Sequence, residues 1–253
     1  MIETAQAFGI DIGGSGIKGA PVDLVNGKFA EERLRIATPE KSTPEAVAEV
    51  VKQILDHFDV ADGTPIGIAF PAPVKPETPV EFIANLDQSW VGIELNSFLS
   101  EHTGRTVHVV NDADAAGLGE AEYGAAKGIP GLVIATTLGT GIGTALIMDG
   151  VLVPNTELGH IELDGMDAEK YAADSARSNE ELSWKKWGKR LTKYYGLLEK
   201  YFSPAVFVVG GGVSKKSDKF FEFIEINTPL VPAQLLNDAG IVGAAYYAST
   251  QQE

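Results

Sequence analysis

Residues 7–22, AFGIDIGGSGIKGAPV, decide how the rest of the chain is read. Gly14-Ser15-Gly16-Ile17-Lys18-Gly19 satisfies the G-x-G-x-x-G pattern, which in a dinucleotide-binding fold must open a helix. Here Pro21 and Asn26-Gly27 follow instead. Asn-Gly is the strongest two-residue hairpin signal, so the chain returns as a strand and the dinucleotide reading fails. No G-x-x-x-x-G-K-[ST] run occurs, which removes the P-loop as well. The spacing predicts a buried strand AFGIDI, a glycine tip and a return strand, with Asp11, Gly13, Gly14, Ser15 and Lys18 around the tip. A tip without Cβ atoms lets backbone N–H groups approach an anion, although the same glycines also serve a plain turn. Asp11 is a candidate for holding Mg2+ through water, and Lys18 for offsetting phosphate charge.

The theme recurs downstream. LVIATTL, GTG and IGTALIM (132–148) again read as strand, glycine turn and strand, and LGTGIGTA aligns with IGGSGIKGA across one gap. A third cluster, Gly210-Gly211-Gly212, ends the buried run AVFVV (205–209). Between these points Pro44 opens a helix whose Val47, Val50, Val51, Ile54, Leu55 and Phe58 keep helical spacing. TPIGIAF (64–70) and TVHVVN (106–111) read as buried strands, 95–103 as a short helix, and DADAAGLGEAEYG (112–124) as helix-favouring. Further helices are expected at about 183–202 and 239–250. Together these give an α/β chain with a duplicated phosphate-turn architecture, its tips Gly13, Gly14 and Ser15, then Gly139, Thr140 and Gly141, then Gly210, Gly211 and Gly212.

The 253 residues, 44% hydrophobic and 22% charged, suffice for one large domain or two modest lobes. No stretch reaches the ~18 apolar residues of a membrane span. The start MIETAQAFGIDIGG shows no secretory pattern, so a cytoplasmic location is expected. With no cysteine, disulfides, thiolate catalysis and Cys-built zinc sites are excluded. A net charge of −15 argues against a nucleic-acid partner. Yet residues 177–219 hold ten basic against four acidic side chains, a local +6. Within the helix there, Trp184, Trp187, Leu191, Tyr195, Leu198 and Phe202 share one face. Lys185, Lys186, Lys189, Lys193 and Lys200 lie roughly opposite, with Arg190 at the edge. Such a row suits a long polyanion, and it equally suits a merely solvated face; Lys215, Lys216 and Lys219 just beyond the third glycine cluster favour the former.

DIGGSGIK (11–18), Asn111-Asp112 at a strand end, LGTGIG (138–143), Glu157-Leu158-Gly159-His160 and VVGGGVS (208–214) stand in the order found in the ROK sugar-kinase family, and the resemblance covers nearly the whole chain. SWKKWGKRLTKYYGLLEKYFSP (183–204), GGGVSKKSDKF (210–220) and LNDAGIVGAA (236–245) resemble its polyphosphate-using glucokinase branch. The resemblance implies an actin-like, hexokinase-type (ribonuclease H-like) two-lobed α/β fold, with one lobe from 1–110 plus a helix at 241–253 and the other from 111–240. It implies phosphoryl transfer from polyphosphate, with ATP as a further donor, to the 6-hydroxyl of glucose, with mannose as a further acceptor. Mg2+ as cofactor and a homodimer are implied in the same way.

A sugar hydroxyl is a poor nucleophile, so a carboxylate should take its proton as the P–O bond forms. Asp112 is the expected base, although Asn-Asp at a strand end also suits a helix cap. The resemblance assigns sugar recognition to Asn85, Asn111, Asp112, Glu157, His160 and Glu169. It gives the donor to the three glycine clusters with Ser15, Lys18 and Thr140, and a polyphosphate track to Lys185, Lys186 and Lys189. Typical members place a Cys-rich zinc motif after the Glu-x-Gly-His segment. Here IELDGMDA (161–168) contains no cysteine. No structural zinc is therefore expected, His160 is left for sugar alone, and the position of Glu169 is left to the fold. Rival assignments are an ATP-dependent glucokinase or glucomannokinase and a sugar-sensing repressor. The repressor would need a helix-turn-helix before the strand expected near residue 7.

Overall fold

The computed structural model describes residues 6–251. The chain divides into two units, Met1–Gly119 with Asp238–Glu253, and Glu120–Asn237.

The first unit opens with β1 (Gln6–Gly13) and β2 (Gly16–Asp23), the hairpin expected from the glycine tip. They pair antiparallel from Gln6↔Asp23 to Gly13↔Gly16. Beyond Asn26-Gly27 the alternating run FAEERLRI (29–36) reads in the sequence as one strand, but the chain forms two short ones, β3 (Lys28–Phe29) and β4 (Leu34–Ile36), both antiparallel to β2. Helix α1 (Pro44–His57) starts at Thr43, whose hydroxyl caps Ala46 N–H, with Pro44 in the first turn. Strand β5 (Ile66–Phe70), α2 (Leu95–Thr103), β6 (Val107–Asn111) and α3 (Asp112–Tyr123) follow.

The second unit holds β7 (Leu132–Leu138), β8 (Ile142–Met148) and β9 (Val151–Val153). A small hairpin of β10 (Glu162–Leu163) and β11 (Met166–Asp167) leads into α4 (Ala168–Ala172) and α5 (Asp174–Asn179). Then come α6 (Trp184–Phe202), β12 (Val206–Gly210) and β13 (Leu230–Pro232). Helix α7 (Ala239–Thr250) returns to the first unit; of the helix expected at 241–253, residues 252–253 lie outside the described ones.

The two sheets repeat one plan. Their strand orders are β3-β2-β1-β5-β6 and β9-β8-β7-β12-β13. In each, the glycine-tipped hairpin is antiparallel, and its first strand pairs parallel with the next crossover strand. Side-chain alternation sorts the cores. Phe8, Ile10 and Ile12 of β1 and Ile66, Ile68 and Phe70 of β5 face the cluster with Val47, Val51 and Ile54 of α1. The opposite face carries Gly9 and Gly67, where α7 lies so close that an added Cβ would fall 2.0 Å from Ile241 O and 1.8 Å from Ala244 O. Gly243 of α7 meets Ala115 O of α3 equally closely. That packing keeps residues 112–119 with the first unit, where a boundary at 110/111 was expected.

In the second sheet Phe207 and Val209 of β12 join Trp187, Leu191, Tyr194, Tyr195 and Leu198 of α6, while Val206 and Val208 pack on the other side with Val133 and Ala135. The buried stripe of α6 thus includes Tyr194. Phe202, expected on that stripe, is 36% exposed, one residue before the left-handed cap Ser203. Glu120, 2% exposed, takes three backbone N–H groups, from Ala125, Gln234 and Leu235, which satisfies a buried carboxylate. Among the described residues no helix is long and apolar enough to cross a membrane.

Candidate active site

In the first unit the β1–β2 tip is held from outside by side chains that the sequence reading did not single out. The Thr38 hydroxyl donates to Gly13 O at 2.5 Å and Arg35 Nη2 to Ser15 O at 2.7 Å. Those bonds leave Gly14 and Ser15 exposed at the turn. Asp11 and Lys18 face each other across the ladder, with Nζ donating to Oδ2 at 2.9 Å. Asn85 lies beside the tip, its Cβ 3.9 Å from a Cβ built on Gly14.

Asn111 ends β6 and caps α3. Its Oδ1 accepts from Ala113 N at 3.0 Å and Asp114 N at 3.1 Å, and its Nδ2 donates to Ala72 O at 3.1 Å. It is buried and locked by these bonds, and among the described residues its Nδ2 spends one of two hydrogens, on Ala72 O. Beside it Asp112 carries an exposed carboxylate whose Oδ1 also accepts Ala113 N at 2.8 Å.

In the second unit the β7–β8 tip is braced by Ser175, which donates through N to Gly139 O at 3.0 Å and through Oγ to Thr140 O at 2.6 Å. The third glycine cluster adjoins it, since Gly210 pairs with Thr137 and a Cβ on Gly211 would fall 2.3 Å from Leu138 O. Gly211 also has φ +82°, a conformation open to glycine.

Glu157, His160 and Glu169 come together on this unit. Gly159 lets the short helical turn Leu158–His160 lie on β8, since a Cβ there would sit 2.0 Å from Ile142 O. Glu169, in the first turn of α4, reaches back to the β7–β8 tip, its Oε2 accepting Ile142 N at 3.3 Å. His160 Nε2 is 4.0 Å from Glu157 Oε2, and its Nδ1 is 3.0 Å from Asp167 Oδ2. Partial burial raises the Glu157 carboxyl above its usual range; His160 opposes the shift and Glu169 adds to it. The His160 ring is raised chiefly by its hydrogen bond to Asp167, against burial, with the surrounding carboxylates reinforcing it. One ligand atom from each of His160, Asp167 and Glu169 lies within 4.8 Å of the others, so these groups could also meet around a cation.

Asp167 was not singled out from the sequence. Its signal is Asp164-Gly165, a two-residue hairpin dipeptide. The turn it makes, with φ of 54° and 76°, folds β11 back so that Asp167 meets Glu162 in register.

On α6, Lys185, Lys186 and Lys189 are exposed, and among the described residues none makes an ion pair. Arg190 is committed to Glu180 and the Tyr171 carbonyl, and Lys193 is bonded to Asp164.

For Mg2+, Asp11 offers hard carboxylate oxygens of the type this ion takes. The ammonium already 2.9 Å from one of them competes with direct coordination, so the residues fit an ion held through water.

The ROK family model matches residues 7–173. A polyphosphate glucokinase of Mycobacterium tuberculosis is 45% identical over 95% of this chain and 90% of its own. The solved structure of the inorganic polyphosphate/ATP-glucomannokinase from Arthrobacter sp. strain KM is 48% identical, covers 98% of this chain and 100% of its own, and superposes with a TM-score of 0.93. A ROK family glucokinase from Streptomyces griseus shares the fold at 24% identity, with a TM-score of 0.80 over 97% of this chain and 99% of its own.

Proposed function

The chain belongs to the ROK family, and from that premise we propose that it phosphorylates glucose with inorganic polyphosphate as the donor. The fold is the actin-like, hexokinase-type α/β fold, and the protein is a polyphosphate–glucose phosphotransferase. What carries the reading is the match, nearly end to end, with two polyphosphate-using enzymes at 45% and 48% identity.

In the division of labour we infer, the Asp112 carboxylate accepts the proton of the 6-hydroxyl as that oxygen attacks the terminal phosphorus, the bridging P–O bond breaks, and the polyphosphate leaves one unit shorter. Glu157, His160 and Glu169 supply acceptors and a donor for vicinal hydroxyls, with Asn85 and the remaining Asn111 amide hydrogen adding to them. Backbone N–H groups at the tips Gly13–Ser15 and Gly139–Gly141, with Gly210–Gly212, receive phosphate oxygens, and Lys18 offsets their charge. Asp11 would hold Mg2+ through water, and the ion would supply charge neutralisation on the donor phosphates. Lys185, Lys186 and Lys189 would hold the distal phosphates of a long donor. Their lack of internal ion pairs among the described residues supports this assignment, because an ammonium already paired has less to offer. The family resemblance extends the proposal to ATP as a second donor, mannose as a second acceptor, a homodimer and a cytoplasmic location.

The test is formation of glucose 6-phosphate by the purified protein, measured with long-chain polyphosphate and with ATP, on glucose and on mannose. Product from polyphosphate and glucose is expected. Turnover with ATP and none with polyphosphate would overturn the donor assignment.

A further inference from the structure

His160 and Glu169 stand on different elements, and one side chain touches both. Asp167 Oδ2 lies 3.0 Å from His160 Nδ1, while Asp167 Oδ1 accepts the Glu169 backbone N–H at 3.1 Å as the N-cap of α4. An ionised carboxylate accepts and never donates, so Nδ1 carries the hydrogen of this bond. The β10–β11 hairpin delivers the group, and Ala168 N–H donating to Ile161 O at 2.9 Å closes the hairpin's base.

We propose that Asp167 is a positioning residue of the sugar site, which orients His160 through Nδ1 and anchors the helical turn that carries Glu169. The proposal rests on the assignment of His160 and Glu169 to glucose. With Nδ1 engaged, Nε2 is the nitrogen turned toward Glu157 and left for a sugar hydroxyl. In neutral imidazole Nε2 accepts, and in imidazolium it donates, while Nδ1 serves Asp167 in both. Each donor has its own carboxylate oxygen, His160 Nδ1 on Oδ2 and the Glu169 backbone N–H on Oδ1.

Asp167→Ser separates the two duties. Serine is as good an N-cap as aspartate, so α4 and Glu169 keep their anchor while His160 loses its partner. The expected result is a glucose KM raised about tenfold or more, the loss of a hydrogen bond to a charged group. The kcat should change less than about threefold. The His160 15N signals should move from a single Nδ1–H tautomer toward a mixture. In a His160→Ala background, adding Asp167→Ser should raise KM no further, because Asp167 acts through the ring that is already gone. Should the serine variant fail to fold, Asp167→Asn, which puts an amide nitrogen in place of one carboxylate oxygen and removes the charge, reads the same quantities. An unchanged glucose KM in Asp167→Ser, or a full additional loss in the His160→Ala background, would overturn the proposal and leave the sugar assignment standing. If His160→Ala itself left the glucose KM unchanged, the assignment of His160 to sugar would fall and this proposal with it.

Discussion

Replacing Lys185, Lys186 and Lys189 together by glutamine removes three ammonium groups from the first two turns of α6. All three are exposed, and among the described residues none is spent on an internal ion pair, so the change breaks no salt bridge. Surface substitutions of this kind stay within about 0.5 kcal/mol, and the thermal midpoint should hold. On the donor side, each ammonium meeting a phosphate in water contributes as an exposed pair does, and three of them combine to roughly a 3- to 100-fold fall in kcat/KM for long-chain polyphosphate at low salt. A donor as short as ATP or tripolyphosphate lacks the distal phosphates assigned to the track and should lose less than about twofold. Because screening contracts from about 10 Å at 0.1 M salt to about 3 Å at 1 M, the deficit against long chains should shrink as salt rises. The assay is coupled glucose 6-phosphate formation with each donor over a salt series. Equal losses with short and long donors, or a deficit that salt leaves untouched, would refute the track.

Gly159→Ala should be costly, because its Cβ would lie 2.0 Å from a backbone oxygen of Ile142 that has nowhere to move. Overpacking of this kind costs about 1–3 kcal/mol, a loss of several degrees in Tm by calorimetry, and the displaced His160 should raise the glucose KM; a variant of wild-type Tm would contradict the packing. His160 and Glu157 both bind protons more tightly when folded. Each contribution is therefore full below the group's unfolded pKa and fades as pH climbs through its raised folded value. Denaturant titrations from about pH 6 to 8 should show the wild type losing more stability with rising pH than His160→Gln. Parallel curves would count against the Asp167–His160 bond.

The duplicated hairpin plan was legible because it is written locally. Glycine tips, Asn26-Gly27 and alternating apolar runs each fix their own few residues, and they agree with the strand orders of both sheets. The broken β3–β4 return was not legible, since residues 30–33 carry no turn dipeptide and only pairing with β2 decides where the strand resumes. Among the candidate site residues, Glu157 and His160 followed from motif order and Glu169 from the family resemblance, and the fold brings the three together near the second tip. The braces of the two tips, Thr38, Arg35 and Ser175, and the partner of His160, Asp167, were invisible because each acts across the fold on a partner far away in sequence or through a turn whose register had to be seen. The α6 lysines looked alike in a helical projection. Which of the basic side chains are already committed, Lys193 to Asp164 and Arg190 to Glu180, depends on loops that a projection does not contain.

The central claim is that the exposed Asp112 carboxylate, beside the cap made by Asn111, takes the proton from glucose. Asp112→Asn keeps the shape and removes the base. Measured by glucose titration calorimetry alongside turnover with saturating polyphosphate, the variant should bind glucose within about threefold of the wild type while kcat falls roughly 100- to 10,000-fold. A variant that kept most of its turnover would contradict the claim.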